Sequence, residues 1–174
     1  TQSATVIQSN IFDFLDEVGL HVKDNLVLDA LCGQVTISQN RGFFRMNSAV
    51  DYHFFPMIRE FGDHVTVSGL EQLRLLFSSE IEYQATDVMD STGNRITPLL
   101  ITSDKSTTME QFFNLSPIDN PAFTSLNEPG RVVGALTSVA SDSTGGVSQI
   151  ILISDSRFFE DGGASPENAV FLLN

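Results

Sequence analysis

The stretch VSQIILISDSRFF, residues 147–159, gives the clearest indication of the fold. Its centre, residues 150–153, is an unbroken run of isoleucine and leucine. Such a short apolar run is typical of a strand that is buried on both faces, as in the middle of a sheet. The run leads directly into Ser154, Asp155 and Ser156, so we predict a central strand that ends in a polar turn or short helix.

The rest of the chain divides into short elements around this segment. Apolar residues at helical spacing between positions 11 and 18 predict an amphipathic helix that is capped by Asn10 and ends at Gly19. The aromatic-rich segment 41–61 shows no lasting periodicity, which predicts a strand followed by an irregular loop. Further strands are predicted at residues 26–28, 34–38, 73–78, 81–85, 96–102 and 131–140, turns or loops at 90–94, 114–130 and 141–146, and a last helix from Pro166 to Leu173.

The composition indicates a folded, acidic domain. A length of 174 residues fits one domain, and we expect residues 1–174 to form it. Hydrophobic residues at 41% and charged residues at 18% exclude a disordered acidic tail. The net charge of −13 argues against nucleic acid or anionic lipid as the main partner, because phosphate binding needs clustered positive charge. No apolar run approaches the roughly 20 residues of a membrane-spanning helix, so direct membrane insertion is not expected.

Two groups of small polar residues follow predicted strands. Ser154, Asp155 and Ser156 come after the run at 150–153, and Thr102, Ser103 and Ser106 come after the strand at 96–102. In open α/β sheets, ligands bind at the carboxyl ends of the strands, so these six residues form a candidate ligand site. The alternative, which we favour, is that Asp155 and Ser156 cap backbone amides in the turn.

Other chemistries have less support from the sequence. Cys32 is the single cysteine and lies in an apolar stretch, which favours a small buried hydrophobe over a reactive thiol. Asp51, His53 and His64 are possible metal ligands, but paired ligands at the usual spacing are missing. A serine hydrolase of the Gly-x-Ser-x-Gly type has no matching turn. We predict no catalytic residue, no metal and no cofactor.

Five segments together resemble one known family. Residues 147–159 and the following ENAVFLLN resemble the end of the extracytoplasmic domain of gliding-motility-type ABC transporter auxiliary proteins. In that family a strand ends in a Gly/Ser-Asp-Ser-x-Phe turn before a helix of the Asn-x-x-Phe-x-Leu-Asn kind. The other four similar segments are FDFLDEVGLHVKDNLVLD, YHFFPMI, HVTVSGLEQLRLLFSSEIE and ITPLLITSDKS.

The resemblance covers residues 11–174 in the family's order, with two departures. Val65 stands where the family usually has proline, and the strand with a glycine pair that would precede the first segment is missing. We therefore expect the chain to begin inside the domain. The last predicted helix has an apolar face that ends at the final residue, which also indicates an incomplete domain from a longer, membrane-anchored protein.

The resemblance implies a fold and a role. The fold would be a layered α/β sandwich with a mostly parallel or mixed sheet, similar to flavodoxin-like and amidotransferase-like domains. The role would be that of a non-catalytic auxiliary component of an ABC-type transport system, acting as an extracytoplasmic binding or scaffolding domain. Its partners would be the permease and ATPase subunits, with carbohydrate as a further candidate. The charge of −13 fits a domain that anionic lipid repels from the bilayer.

Two alternative functions stay open. The first is a carbohydrate-binding or small-molecule-binding module that uses the edge at Ser154, Asp155 and Ser156. The second is a degenerate amidotransferase-like hydrolase, although the segment around Cys32 does not match the nucleophile elbow of true amidotransferases.

Overall fold

The computed structural model describes residues 3–83, 95–140, 146–160 and 166–174. In these residues the helices are α1 (Asn10–Glu17) and α2 (Pro166–Phe171), with 3-10 turns at Val65–Val67 and Pro121–Thr124. The strands are β1 (Ser3–Ala4), β2 (His21–Val22), β3 (Asn25–Asp29), β4 (Cys32–Arg41), β5 (Phe44–Ile58), β6 (Glu60–Phe61), β7 (Leu73–Arg74), β8 (Ile81–Glu82), β9 (Arg95–Ile101), β10 (Ser106–Glu110), β11 (Phe113–Asn114), β12 (Val132–Ala140) and β13 (Val147–Ile153).

The strands form several small sheets. A four-stranded sheet has the order β13-β12-β9-β6, and a three-stranded sheet has the order β4-β5-β7. The remaining pairs are β3 with β10, β2 with β8 and β1 with β11. Every strand pair in the described part of the chain is antiparallel.

The predicted α/β sandwich with a mostly parallel or mixed sheet is therefore wrong, because the fold consists mainly of antiparallel β-sheets with two short helices. The run at 150–153, which favoured a doubly covered central strand, lies in β13. Within the described residues, β13 pairs only with β12, and it has no buried residue; Ile151 is 40% exposed. A parallel neighbour needs a crossover of a dozen or more residues, whereas β12 and β13 are separated only by residues 141–146.

The four-stranded sheet is covered on both faces even though it is antiparallel. On one face, Ala135 of β12 packs with Leu15 and Leu20 of the α1 region. On the other face, Leu136 of β12 belongs to a larger cluster that includes Phe171 of α2. Apolar side chains therefore pack on both faces of β12 and β9. This explains why the sequences of these strands resemble buried strands of an α/β protein.

A third cluster is aromatic and lies on β5. Tyr52 and Phe54 are buried there against Leu28 of β3, with Phe77 and Phe123 packed around them. The rings meet mostly edge to face, the arrangement that their quadrupoles favour.

The irregular loop predicted within residues 41–61 is wrong, because most of this segment is the single long strand β5. Even-numbered residues from Tyr52 to Ile58 are buried, and odd-numbered ones are half-buried. The period of two is hidden in the sequence because both faces carry large apolar side chains. Pro56 is accommodated where the register with β4 shifts, so its missing N–H breaks no regular ladder.

Several other predictions agree with the structure. The predicted helix at 11–18 is α1, although Ser9 rather than Asn10 caps it, and Gly19 follows it with φ 84°. Strands predicted at 26–28, 34–38, 96–102 and 131–140 correspond to β3, β4, β9 and β12. The strand predicted at 73–78 is reduced to the two-residue strand β7, and the described part of the one at 81–85, residues 81–83, contains β8. Residues 84–94 and 141–145, with their predicted turns, lie outside the described residues.

Neither described helix has the length and apolar content needed to cross a bilayer.

The contact between β6 and β9 leaves no room for a side chain at Gly62. A Cβ built there would lie 1.8 Å from the Pro98 carbonyl oxygen, whereas a Cβ at Gly33 would make an ordinary 3.5 Å contact with Phe55. We expect Gly62→Ala to lower the free energy of unfolding in urea by about 2–3 kcal/mol, because the two backbones must separate. Gly33→Ala is the control and should change it by less than about 1 kcal/mol. Equal effects of the two variants would contradict the packing described here.

Candidate functional site

The structure brings the two predicted polar groups to one edge of the four-stranded sheet. β9 and β13 run on either side of β12, with Ile101 opposite Val132 and Ile153 opposite Gly134. The residues that follow these strands, Thr102 and Ser154, therefore lie at the same end of the sheet. The juxtaposition agrees with the prediction, although an antiparallel sheet, rather than an open α/β sheet, produces it.

The three residues after β13 differ in what they contact. Asp155 is 7% exposed, and its two carboxylate oxygens accept hydrogen bonds from the backbone N–H groups of Leu76 and Arg157, each at 2.8 Å. Burial raises the pKa of Asp155. The hydroxyl of Ser154 donates to the Val133 carbonyl at 3.0 Å, whereas Ser156 is exposed. Asp155 thus caps backbone amides, as the alternative interpretation expected.

The three residues after β9 bond to the chain in the same way. Thr102 is fully buried, and its hydroxyl accepts a hydrogen bond from the Arg131 N–H at 2.7 Å. Ser103 donates its hydroxyl and its N–H to the buried carboxylate of Asp29, at 2.6 and 2.7 Å. Ser106 donates to the Pro129 carbonyl at 2.9 Å. Ligand binding at this edge stays a prediction, and five of its six side chains have structural partners.

Cys32 lies close to a histidine but does not form a nucleophile–base pair. Its sulfur is 3.4 Å from His53 Nδ1, while the same nitrogen donates a hydrogen bond to the Asp29 carbonyl oxygen at 2.8 Å. A nitrogen that carries this proton cannot accept the thiol proton. Burial, followed by the nearby charge of Asp51, raises the pKa of Cys32 to about 11. The thiol is therefore protonated at neutral pH.

The three residues considered as metal ligands each contact other groups. Asp51 accepts from the Gln34 side chain at 2.9 Å, and His53 is held by Asp29. His64 caps the 3-10 turn Val65–Val67 by accepting from the Thr66 N–H at 3.3 Å. Among the described residues, no group of three or more His, Cys, Asp or Glu side chains is placed to hold a metal ion.

An ion-pair network that the sequence did not reveal surrounds Glu80. The Glu80 carboxylate, which is mostly buried, pairs with Lys23 at 3.3 Å and with Arg131 at 3.2 Å. Arg131 also pairs with Glu128, and Lys23 with Glu82 at 3.2 Å. The Glu82 hydrogen bond, with the charge of Glu80, raises the pKa of Lys23. Because Lys23 and Arg131 both lie far from Glu80 in sequence, no local motif could indicate these two pairs, and the mutual pairing of the network is typical of a structural role.

A mainly apolar cavity beside the N-terminal segment is smaller than an ordinary ligand site. It encloses about 230 Å³ between the N-terminal segment and β3, with Ile7, Phe12, Leu26 and Phe113 in its lining. Binding sites for small molecules usually enclose about 300–1,000 Å³. The cavity therefore adds little support to a small-molecule module.

The most unusual surface is the outer half of the hairpin formed by β4 and β5. We call residues 38–49 the hairpin arm, because these residues are exposed on both faces of the ribbon wherever their burial is described. Gly42, with φ 64°, takes the first position of the two-residue turn, where such hairpins favour glycine. Phe43 is fully exposed, Phe44 is 76% exposed and Met46 is 52% exposed. Neighbouring Phe and Met side chains on a projecting element are a candidate contact surface.

Comparison with known proteins agrees with the resemblance seen in the five sequence segments. The sequence model of a family described as an "ABC-type uncharacterized transport system" matches residues 1–173. The chain belongs to this family. Membership makes it an auxiliary component of an ABC-type transport system. No curated protein and no solved structure matches the chain.

The thiol of Cys32 offers a direct test of the nucleophile hypothesis. We expect iodoacetamide to alkylate Cys32 in the folded chain about a hundredfold more slowly at neutral pH than in the urea-unfolded chain. The reason is that raising the pKa from 9.0 to about 11 lowers the thiolate fraction. The rate should still be rising with pH at pH 9. A rate plateau at neutral pH would indicate a thiolate and would contradict the structural role.

The role of Asp155 can be separated from that of its exposed neighbour. Asp155→Ala leaves the Leu76 and Arg157 N–H groups without their acceptor, so we expect it to lower the free energy of unfolding by about 2 kcal/mol or more. Ser156→Ala is the control and should stay within about 0.5 kcal/mol. Urea unfolding followed by circular dichroism measures both. An Asp155→Ala variant as stable as the parent would refute the capping role.

Proposed function

We propose that the chain is a non-catalytic scaffolding or binding component at the extracytoplasmic face of its ABC-type transport system, which we infer to be of the gliding-motility type. Its partners are the permease and, in the same complex, the ATPase. Family membership supports the association with a transport system. The extracytoplasmic location rests on the resemblance of the five segments.

One observation carries the non-catalytic part of this proposal. The polar groups that could have done chemistry are already bonded to the chain's own backbone and side chains. Asp155 and Thr102 hold backbone amides, and Ser103 is bonded to Asp29. The Cys32 thiol lacks an available base because His53 Nδ1 donates to a carbonyl. An active site needs groups that are free to contact a substrate and to move protons, so these residues favour a role in the scaffold.

The acidic surface supports a function in protein association. A net charge of −13 keeps a displayed domain soluble and favours encounter with basic surfaces of partner subunits. The hairpin arm, which projects from the sheets, adds an element that the domain itself does not cover.

Co-purification tests the proposed partners. We expect an affinity-tagged copy of the chain, expressed with its cognate transport system and extracted from native membranes in mild detergent, to recover both permease and ATPase. An unrelated acidic domain with the same tag controls for nonspecific capture. Recovery of neither subunit above that control, from membranes that contain both, would contradict the proposed partnership.

A further inference from the structure

The hairpin arm is a two-stranded ribbon formed by the outer parts of β4 and β5. β4 pairs with β5 alone. β5 gains a second neighbour only from Phe54 onward, where β7 and the residues that follow it bond to its backbone. Within the described residues, the arm therefore has no third strand. An isolated two-stranded hairpin is at best marginally stable in water. A contact with another molecule would therefore add to the stability of this ribbon.

The apolar side chains of the arm are concentrated at its tip. The shaft between the tip and the body carries small or polar residues, namely Ser38, Gln39, Asn40, Asn47, Ser48 and Ala49. The tip carries Phe43, Phe44 and Met46, all exposed. A standard protein interface uses about 20–30 residues on each side and would need apolar contacts along the ribbon. Aromatic residues gathered at one end are instead typical of insertion into a membrane interface.

The charge of the arm is opposite to that of the rest of the chain. No Asp or Glu lies between Asp29 and Asp51, whereas Arg41 and Arg45 flank the aromatic pair. The chain as a whole has a net charge of −13. Arginines beside an aromatic tip complement a surface of anionic lipid headgroups, each contributing to the attraction when it lies near that surface.

The length of the arm separates its tip from the acidic body. From Ser38, where the arm begins, to Gly42 at its turn the strand rises by about 13 Å at roughly 3.3 Å per residue. The Debye length at physiological ionic strength is about 8 Å, so the charge of the body is largely screened at the tip. The net charge predicts that anionic lipid repels the acidic body of the chain. Because this repulsion is screened at the tip, it does not prevent the tip from binding the bilayer.

We propose that the tip of the hairpin arm binds the interface of an anionic lipid bilayer. Phe43, Phe44 and Met46 enter the boundary between headgroups and acyl chains, and the positive charge of Arg45 lies at the level of the lipid phosphates. The open edges of the ribbon stay among the headgroups, where water satisfies their peptide groups. This proposal goes beyond the permease and ATPase partners and does not depend on them.

The absence of tryptophan from the sequence allows a clean spectroscopic test. Phe43→Trp places a single tryptophan at the tip, and Phe112→Trp places one at a 69% exposed phenylalanine outside the arm. We expect the emission of the first variant to shift to shorter wavelength when protein-free vesicles of equimolar phosphatidylglycerol and phosphatidylcholine are added. The emission of the Phe112→Trp control should not change.

Matched substitutions then separate the apolar and electrostatic parts in co-flotation with the same vesicles. The double variant F43S/F44S should bind about tenfold more weakly or worse, because membrane affinity scales with buried apolar area. Arg45→Ala should lose about fivefold, the effect of one positive charge near the surface. Phe112→Ser and Arg157→Ala, whose side chains are exposed elsewhere, should bind like the parent. Binding should weaken with added salt and on pure phosphatidylcholine.

Two outcomes would overturn the proposal. One is the lack of an emission shift in Phe43→Trp together with no flotation of the parent chain, which would leave protein docking as the role of the arm. The other is that Phe112→Ser weakens vesicle binding as much as F43S/F44S does. The variants lie on exposed residues, and a circular dichroism spectrum identical to that of the parent shows that the fold is retained. Failure to recover permease and ATPase in the detergent experiment would leave this result unaffected.

Discussion

The buried carboxylate of Asp29 connects three of the sheets. It lies at the end of β3, accepts the Leu31 N–H at the start of β4 at 2.8 Å, and accepts both the N–H and the hydroxyl of Ser103 after β9. The backbone carbonyl of the same residue accepts from His53 on β5. Because a fully buried carboxylate is costly unless its oxygens are bonded, this set of contacts fixes the relative position of β3, β5 and β9. β4, whose outer part belongs to the hairpin arm, begins directly after this junction.

The need to bond buried polar groups also explains why residues at the predicted ligand edge stabilise the fold. Ser103 is bonded to the Asp29 carboxylate, and the Asp155 carboxylate similarly accepts a hydrogen bond from the Leu76 N–H. Thr102 accepts a hydrogen bond from the Arg131 N–H just before β12, and Ser154 donates one to the Val133 carbonyl within β12. Small polar residues after strands are equally suited to binding a ligand and to satisfying backbone groups. In this chain the antiparallel sheets have many short connections, and each connection exposes backbone groups that need partners.

The sequence allowed the position of most elements to be predicted but not their pairing. β3, β9 and β12 contain local runs of apolar residues. Such runs indicate buried strands, and they can be recognised in the sequence without knowing which strand pairs with which. Pairing direction depends on connections and on contacts between distant residues. The apolar run in β13 therefore predicts a central strand, whereas within the described residues β13 pairs only with β12. The Glu80 network joins residues 51 or more positions apart in its two main pairs, with no motif to reveal it. Family resemblance, which uses the order of many weak segments, identified the transport-system family correctly, but the α/β fold that it implied was wrong.

A scaffold whose polar groups are bonded internally contacts other molecules through its exposed surface elements. In the described part of the chain, the hairpin arm is the longest run of exposed residues. Hydrogen exchange measured by mass spectrometry tests this account most directly, with the chain alone compared with the chain on membranes that contain its transport system. The account predicts that membranes slow exchange in the hairpin arm, residues 38–49, and leave residues 102–106 and 154–156 unchanged. Slower exchange at 102–106 and 154–156, with an unchanged arm, would contradict it and would restore that edge as the functional site.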